Sequence, residues 1–273
     1  MPTLPLYFGY REQSWQNMTT TLAVVGKGGT GKTTFAALTC KYLLETGRRP
    51  ILAIDADPSS NLNLALGMSL GQTVGQIREE TKQQVSAGSF QTGISKPEWF
   101  DYKMNECLVE GQGVDLLAMG RPEGATCYCA ANNMLRTCID RLGNEYGWVV
   151  IDNEAGMEHI SRQTTRDVDY LFIISDPTHR ALSAAEHIVN LVKELGTRIG
   201  VSYLVINNVR GELSETLIQR AAALGVPLLG TLPHDPAVSQ CDLVGRPLVE
   251  LDDSSAIYPA VKTLLRKALG ETN

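Results

Sequence analysis

The sequence lacks several features that would each assign it to a different class of protein. It has no apolar run long enough to span a bilayer, and residues 1–17 have no apolar core of the kind found in secretory signals. It has no block of lysine and arginine, and its net charge of −6 argues against general binding of nucleic acid. Six cysteines in 273 residues are too few for a disulfide scaffold. We therefore expect a cytoplasmic protein with reduced thiols, and neither a membrane nor nucleic acid among its partners.

The length and composition favour one large α/β domain. A chain of 273 residues, 43% of them hydrophobic, can bury a substantial core. No linker divides it, and Met18 stands just before the first apolar run. We expect residues 1–17 to be an N-terminal tail, disordered or translated from an upstream start, and residues 18–273 to form a single domain.

Short apolar runs alternate with helical patterns, which predicts a doubly wound, mostly parallel sheet of about seven strands. The strands are expected near Thr21–Val25, Ile51–Ile54, Val114–Met119, Trp148–Ile151, Leu171–Ser175, Tyr203–Ile206 and Leu228–Thr231. Helices are expected over Lys32 to about Thr46, Val74–Val85, His179–Leu195 and Ile257–Leu269. The glycine-containing stretch Ser86–Met104 is interpreted as an irregular insertion at the rim of the sheet.

A glycine-rich segment leaves the first predicted strand and opens the first predicted helix. It reads Gly26-Lys27-Gly28-Gly29-Thr30-Gly31-Lys32-Thr33-Thr34. Glycines let backbone N–H groups converge on phosphate oxygens, and the helix N-terminus adds a favourable dipole. The segment predicts binding of a nucleoside triphosphate, with Lys32 at the β- and γ-phosphates and Thr33 at Mg²⁺. The residues expected to contact the nucleotide here are Gly28, Gly29, Thr30, Gly31, Lys32, Thr33 and Thr34.

A second lysine, Lys27, distinguishes this segment from an ordinary phosphate loop. The run from Lys27 to Thr33 resembles the deviant Walker A loop of SIMIBI-type P-loop NTPases, a group that includes MinD/ParA proteins, nitrogenase iron proteins and arsenical-pump ATPases. The resemblance implies an ATP-dependent homodimer in which Lys27 crosses the interface and stabilises charge on the transferring phosphoryl group of the partner's nucleotide. The alternative is a solvated loop lysine.

Acidic residues follow two further predicted strands, where ligands bind in open α/β sheets. Asp57 is expected to orient or deprotonate the attacking water. Asp55 and Asp152 are expected to support Mg²⁺ together with Thr33, with Asp152 in the Walker B position. Helix N-capping by Asp57 or Ser60 is an alternative that is compatible with catalysis.

The last two predicted strands end in residues suited to a base pocket. Asn207 is expected to contact the adenine edge, with Pro233 and Asp235 completing the pocket, although asparagine at a strand end is often only a turn residue. Residues 153–159, after the Walker B strand, are expected to act as a switch that senses the γ-phosphate, with Gly156 as its pivot.

Cys127 and Cys129 form a pair that is unlikely to arise by chance among so few cysteines. One chain supplies two thiolates, whereas a closed tetrahedral site needs four ligands, so a two-fold dimer would complete the set. Thiolates alone do not name the metal, because Zn²⁺ suits a tetrahedral site and Ni²⁺ prefers square-planar geometry. Two structural cysteines or a redox disulfide are the alternatives.

Taken together, the motifs resemble CooC-type ATPases, which are nickel-insertion accessory proteins for carbon monoxide dehydrogenase, with relatives that serve acetyl-CoA synthase. The motifs are the deviant loop and residues 55–58, 121–129 and 151–159. The resemblance implies an ATP-hydrolysing homodimer that holds Ni²⁺ or Zn²⁺ at its interface through Cys127 and Cys129 and acts on a client metalloenzyme. The sequence departs from the pattern at Ala130 and in its N-terminal tail. It does not decide between the two clients or the two metals.

Two other functions remain open. An iron-protein-like reductase would hold a [4Fe–4S] cluster with two cysteines per subunit, but residues 153–165 lack the second one unless Cys129 replaces it. A positioning ATPase of the MinD/ParA kind would need a membrane helix or a basic DNA face, and would leave the cysteine pair unexplained. Of the four histidines, His159 alone is placed to approach a metal in a closed dimer.

Overall fold

A parallel sheet forms the centre of the protein in the computed structural model, which describes residues 19–87, 96–121, 137, 139, 142–155, 167–195 and 198–271. Within those residues the sheet has seven strands in the order β3-β2-β4-β1-β5-β6-β7, and all of its ladders are parallel. The strands are β1 Thr20–Gly26, β2 Ile51–Asp55, β3 Val114–Ala118, β4 Trp148–Asp152, β5 Asp167–Ser175, β6 Arg198–Val209 and β7 Leu228–Pro233.

Helices cover both faces of this sheet. They are α1 Lys32–Glu45, α2 Leu62–Leu66, α3 Val74–Ser86, α4 Lys96–Cys107, α5 His179–Leu195, α6 Glu215–Ala223, α7 Pro236–Val244 and α8 Ile257–Ala268. Successive strand side chains point to opposite faces. Ala23 and Val25 of β1 therefore join one core cluster with residues of α3 and α5, while Leu22 and Val24 join another with residues of α1 and α8. The continuous apolar runs of the central strands are explained by burial on both faces.

The position of β1 determines where the site lies. It pairs with β4 on one side and β5 on the other, so the chain switches sides of the sheet at β1. Ligands of open α/β sheets bind outside the carboxyl ends of the strands at such a switch point. The loop after β1 is thus flanked by the ends of β2 and β4 on one side and of β5 and β6 on the other.

The fold confirms the predicted doubly wound class, the seven predicted strands and the four predicted helices. The interpretation of Ser86–Met104 as irregular is wrong over its second half, because α4 begins at Lys96. Trp99 is buried in the same core cluster as α3, which stabilises this helix. Pro97 was the available signal, since proline is favoured in the first turn of a helix.

The C-terminal helix α8 is fixed to α1 by polar contacts as well as by its buried apolar face. The Tyr258 hydroxyl donates to Oε2 of Glu45 over 2.5 Å. Glu271, just beyond α8, accepts from the Tyr42 hydroxyl over 2.7 Å and pairs with Arg48 over 2.5 Å. Among the described residues, no helix combines the length and the apolar character that crossing a membrane requires.

The two edges of the sheet differ. At one edge, Val109 forms an antiparallel bridge with Leu116 and covers part of β3. At the other, β7 pairs with β6 only from Leu204 onward, so the segment Arg198–Tyr203 pairs with β5 alone among the described strands. Val201 in this segment is 40% exposed.

Candidate functional site

The glycine-rich loop begins at a point where only glycine fits. Gly26 ends β1 with φ of +153°, and a Cβ atom there would lie 2.2 Å from the carbonyl oxygen of Ile174 on β5. That distance is far inside van der Waals contact, so a side chain would separate the two strands. The loop then runs from Lys27 to Gly31, and α1 begins at Lys32.

Thr30 anchors the inner side of this loop. Its side chain and backbone N–H both donate to the carbonyl oxygen of Lys27, over 2.8 and 3.3 Å respectively. Its own carbonyl oxygen accepts a 2.8 Å hydrogen bond from Nδ2 of Asn207, at the end of β6. Thr30 is 1% exposed, so these bonds form away from water and hold the loop in one conformation.

The N-terminus of α1 is suited to an anion. Its N-cap is Gly31, with φ of +92° and no side chain to cap the first turn. The first N–H groups of a helix lack intrahelical acceptors and carry the positive end of the helix dipole. This arrangement can bind the oxygens of a phosphate chain.

Lys32, the first residue of α1, adds a positively charged side chain to this candidate anion site. Its side chain is buried, and burial lowers the pKa of Lys32 from its usual value. Nearby carboxylates, foremost that of Asp152, oppose the shift. A bound polyphosphate would add negative charge beside this buried ammonium and would further stabilise its charged form.

Thr33 and Asp152 form the candidate cation site. The Thr33 hydroxyl donates to Oδ2 of Asp152 over 2.5 Å, while Oδ1 of Asp152 is buried and has no hydrogen-bond partner among the described residues. Burial raises the pKa of Asp152 to about 7, and the hydrogen bond from Thr33 acts in the opposite direction. A hydroxyl and a carboxylate are the oxygen ligands that Mg²⁺ takes from proteins alongside phosphates. These residues therefore fit the predicted magnesium ion.

Asp55 and Asp57 lie at the end of the neighbouring strand. Both oxygens of Asp55 accept backbone N–H groups, from Asp57 over 3.1 Å and from Leu62 over 2.8 Å. Burial nevertheless raises the pKa of Asp55 to about 6. Oδ1 of Asp57 accepts from the Ser59 N–H over 2.8 Å. The alternative of helix capping is wrong for both proposed residues, because the N-cap of α2 is Asn61.

The predicted base-pocket residues have other contacts in this structure. Asn207 bonds the phosphate loop, as described above. Asp235 is the N-cap of α7: it accepts from the Ala237 N–H over 2.9 Å and from the Ile257 N–H over 3.0 Å. Pro233 is the last residue of β7. Contact of these three residues with adenine stays a prediction.

Lys27 is exposed and borders a depression of about 550 Å³. The lining residues, from the end of β1, the loop, the segment after β4 and α5, are Gly26, Lys27, Gly28, Ala155, Ala184, His187 and Ile188. The contribution of α5 was not predicted from the sequence, because its side chains show only the spacing of an amphipathic helix.

Several predicted residues lie outside the described part of the chain. They are the metal-binding pair Cys127 and Cys129, the switch pivot Gly156 and His159. Within the described ranges, no group of three or more His, Cys, Asp and Glu side chains is arranged to hold a metal ion. The candidate magnesium site has fewer protein ligands, as expected for an ion that also binds phosphate.

Comparison with known proteins assigns the family. Residues 22–248 match the model of the CobQ/CobB/MinD/ParA nucleotide binding domain. The chain belongs to this family. It is similar to an uncharacterized ATP-binding protein of Methanocaldococcus jannaschii, with 42% identity over 250 residues covering 92% of this chain and 98% of the relative. It is also similar to the carbon monoxide dehydrogenase accessory protein CooC of Rhodospirillum rubrum, with 32% identity covering 82% of this chain and 87% of that one.

A solved structure agrees with the fold. The septum site-determining protein MinD of Pyrococcus horikoshii, complexed with Mg-ADP, matches with a TM-score of 0.66 and 22% identity, covering 92% of this chain and 96% of that one. The protein is thus a P-loop ATPase with a deviant Walker A loop, as its sequence predicted. ATP and Mg²⁺ are consistent with this assignment, and the geometry around Lys32, Thr33 and Asp152 fits both.

Proposed function

We propose that this ATPase is a cytoplasmic accessory protein that helps to insert nickel into carbon monoxide dehydrogenase or the related acetyl-CoA synthase. The observation that carries the proposal is its 32% identity with CooC over most of both chains. The sequence also contains the Cys127–Cys129 pair that such a function needs. The likeness to an ATP-binding relative of unassigned function at 42% identity does not favour another client.

The geometry of the described site supports the nucleotide-binding part of the proposed mechanism. The N–H groups from Gly28 to Gly31 and at the start of α1 bind the phosphates, and Lys32 neutralises the β- and γ-phosphate oxygens. Thr33 and Asp152 would hold Mg²⁺, which would stabilise charge on the phosphate chain when bound. Asp57, at a loop tethered to Asp55, orients the attacking water and accepts its proton.

Dimerisation completes the catalytic site in this proposal. Lys27 is the first residue of the loop and is exposed, so its side chain can extend toward a second copy. A lysine acting across the interface would stabilise the transferring phosphoryl group as an arginine finger does. Hydrolysis then requires two chains, and each chain senses the nucleotide of the other.

The metal is the cargo of the dimer. Cys127 and Cys129 of two chains supply four thiolates, which suffice for Zn²⁺ or Ni²⁺. Because one chain provides half a site, metal binding should promote dimerisation. Closure of the dimer on ATP would change the arrangement of the thiolates, and hydrolysis would release the metal toward the client.

The test is the metal content and oligomeric state of anaerobically purified protein, with and without ATP. We expect one Ni²⁺ or Zn²⁺ per dimer, and loss of tight metal binding with intact ATP binding in the Cys127→Ala/Cys129→Ala variant. Cys241→Ala is the matched control, because Cys241 is buried in the core and should not affect the metal. One metal per dimer with unchanged affinity in the double variant would refute the interface site.

A positioning ATPase of the MinD/ParA kind is the second candidate, favoured by the family assignment itself. The same purified protein can be used to distinguish this function from nickel insertion. Sedimentation with anionic lipid vesicles or DNA in the presence of ATP, combined with no bound metal, would favour that function. A brown protein absorbing near 400 nm would instead favour the [4Fe–4S] reductase.

A further inference from the structure

A small network of hydrogen bonds joins the ends of β6 and β7. Nδ1 of His234, the residue after β7, lies 2.7 Å from Oδ1 of Asn208 near the end of β6. Nε2 of the same ring lies 3.2 Å from Nη2 of Arg210, just beyond β6. The backbone N–H of His234 donates to the carbonyl oxygen of Val209 over 2.9 Å. One residue after β7 is therefore bonded to three consecutive residues at the end of the neighbouring strand.

The network lies where the ladder between β6 and β7 is irregular. The register shifts between Ile206 and Val209, which leaves one extra residue on β6 relative to β7. Asn208 within this bulge has φ of +60°, a left-handed conformation that asparagine tolerates better than most residues. A bulge disrupts the ladder locally and redirects side chains. The bonds of His234 thus hold the two strands together where their own ladder is interrupted.

The partners of His234 determine which of its ring nitrogens carries the proton. An arginine guanidinium only donates hydrogen bonds, so Nε2, which faces Arg210, has to accept. The side-chain oxygen of Asn208 only accepts, so Nδ1 has to donate. The neutral imidazole with its proton on Nδ1 satisfies both contacts. The Nδ1–H donor is therefore the property of the ring on which the bond to Asn208 depends.

The network is next in sequence to all three residues predicted to form the base pocket. Asn207 precedes Asn208 in the bulge, and His234 stands between Pro233 and Asp235. One side of the predicted pocket thus belongs to β6 and the other to the segment after β7. A shift of His234 relative to the bulge would move these two sides apart.

We propose that His234 is a positioning residue for the base pocket, acting through the hydrogen bond from its Nδ1–H to Asn208. It holds the segment after β7 at a fixed distance from the bulge of β6, so that both sides of the pocket are in place before the nucleotide arrives. Such preorganisation increases affinity because less has to be ordered on binding. The proposal rests on the predicted contact of the pocket residues with adenine and is independent of the metal and the client.

The experiment compares a ligand that has a base with one that has none. The binding of Mg-ATP and of Mg-tripolyphosphate to His234→Ala and to Asn208→Gly is measured by calorimetry. Glycine adopts the φ of +60° readily, so Asn208→Gly removes the acceptor and preserves the backbone. We expect the ATP affinity to fall roughly fivefold in each variant, the scale of one neutral hydrogen bond, and the tripolyphosphate affinity to stay unchanged. Equal falls for both ligands, or no fall for ATP, would overturn the proposal.

His234→Asn tests the assigned donor. The amide N–H of asparagine can take the place of Nδ1–H and donate to Asn208, whereas the shorter side chain does not replace the contact with Arg210. We expect this variant to regain most of the ATP affinity that His234→Ala loses. A His234→Asn variant that binds ATP as weakly as His234→Ala would show that the bond to Asn208 is not the one that matters.

Steady-state hydrolysis gives a readout that general loosening of the structure would not reproduce. His234→Ala should raise KM for ATP by about the same factor as the loss of affinity and leave kcat unchanged, because contacts with the base are equal in the ground state and the transition state. A fall in kcat with an unchanged KM would contradict a function in base binding.

A double-variant cycle shows whether His234 and Asn208 act through one bond. The His234→Ala/Asn208→Gly double variant should bind ATP about as weakly as either single variant, because the second change removes a bond that is already lost. Strictly additive losses would mean that the two residues act separately, and would refute the proposed route.

Two further variants complete the comparison. His179→Ala removes an exposed histidine at the start of α5, outside the network, and should bind both ligands as the wild type does. Asn207→Ala tests the pocket itself, and should lose ATP affinity while keeping tripolyphosphate affinity. If Asn207→Ala binds ATP normally, the predicted pocket is wrong and the proposal is wrong with it. If Asn207→Ala loses ATP affinity and His234→Ala does not, the pocket stands and the positioning function alone is refuted.

Discussion

Asp55 and Asp152 are directly paired in the ladder between β2 and β4, at the carboxyl ends of two buried strands. They are 0% and 1% exposed. Burial raises the pKa values of both carboxyl groups, and the nearby charge of Asp55 raises that of Asp152 further. The site therefore carries an unbalanced negative charge that a divalent cation would neutralise.

We predict that Asp152→Asn stabilises the nucleotide-free, magnesium-free protein at pH 8. The folded-state pKa of Asp152, about 7, lies above its ordinary value of 3.8, so folding binds a proton and penalises the charged form. The penalty is fully present above pH 7 and disappears as the pH falls toward 4. Removing the charge should thus raise the free energy of unfolding by at least about 1 kcal/mol at pH 8, and by progressively less toward pH 5.

Urea unfolding between pH 5 and pH 8 measures this difference in the free energy of unfolding between Asp152→Asn and the wild type. Asp242→Asn changes an exposed aspartate, and its free energy of unfolding should not differ from that of the wild type in a comparable pH-dependent way. A variant of Asp152 that is less stable than the wild type at pH 8 would show that the carboxylate is not destabilising in the folded protein. The same variant should lose magnesium-dependent ATP hydrolysis.

We predict that Lys32 and Asp57 separate binding from chemistry. Lys32→Ala should abolish hydrolysis and weaken ATP binding, because it removes the buried cation at the β- and γ-phosphates. Asp57→Ala should bind ATP with an affinity within about threefold of wild type and reduce kcat by about a hundredfold, since it loses only water activation. Calorimetry and phosphate release measure the two quantities. An equal loss of ATP affinity in both variants would refute this division.

We predict that Lys27→Ala binds nucleotide almost normally and hydrolyses ATP about a hundredfold or more slowly, on the scale of a residue acting in trans. Mixing it with Asp57→Ala chains should restore part of the activity. In the mixed dimer, one site has an intact Asp57 and receives Lys27 from its partner. Absence of recovery in heterodimers isolated with two different tags would count against action across the interface.

We predict that Glu271→Ala lowers the free energy of unfolding by about 1 kcal/mol, because Tyr42 and Arg48 lose a partly buried acceptor. Glu250→Ala is the matched control: it also removes an arginine partner, but its pair with Arg246 is exposed and should contribute nearly nothing. Urea unfolding of both variants gives the comparison. Equal losses of unfolding free energy in the two variants would mean that the partial burial of Glu271 does not strengthen its contacts with Tyr42 and Arg48.

Much of the fold could be predicted from the sequence because its signals are local. The apolar runs and the punctuating glycines located the strands, and the loop from Gly26 to Thr34 located the site. The bond between Asn207 and Thr30 joins residues 177 positions apart. No local pattern predicts such a contact, because it depends on the order of the strands in the sheet. Helix α4 was missed for a related reason, since it is stabilised by tertiary burial of Trp99 rather than by periodicity.

The outer side of β6 from Arg198 to Ser202, which pairs with no second strand in the described part of the chain, affects how the protein behaves in concentrated solution. Unpaired backbone donors and acceptors at a sheet edge are a template for pairing with another chain. The stretch also carries the half-exposed Val201. We expect concentrated protein to associate strand to strand here, in a contact separate from any nucleotide-driven dimer. Val201→Lys would place a charge on that edge, and should reduce such association in solutions used for crystallisation or scattering while leaving the ATP site, at the opposite end of the strands, unaffected.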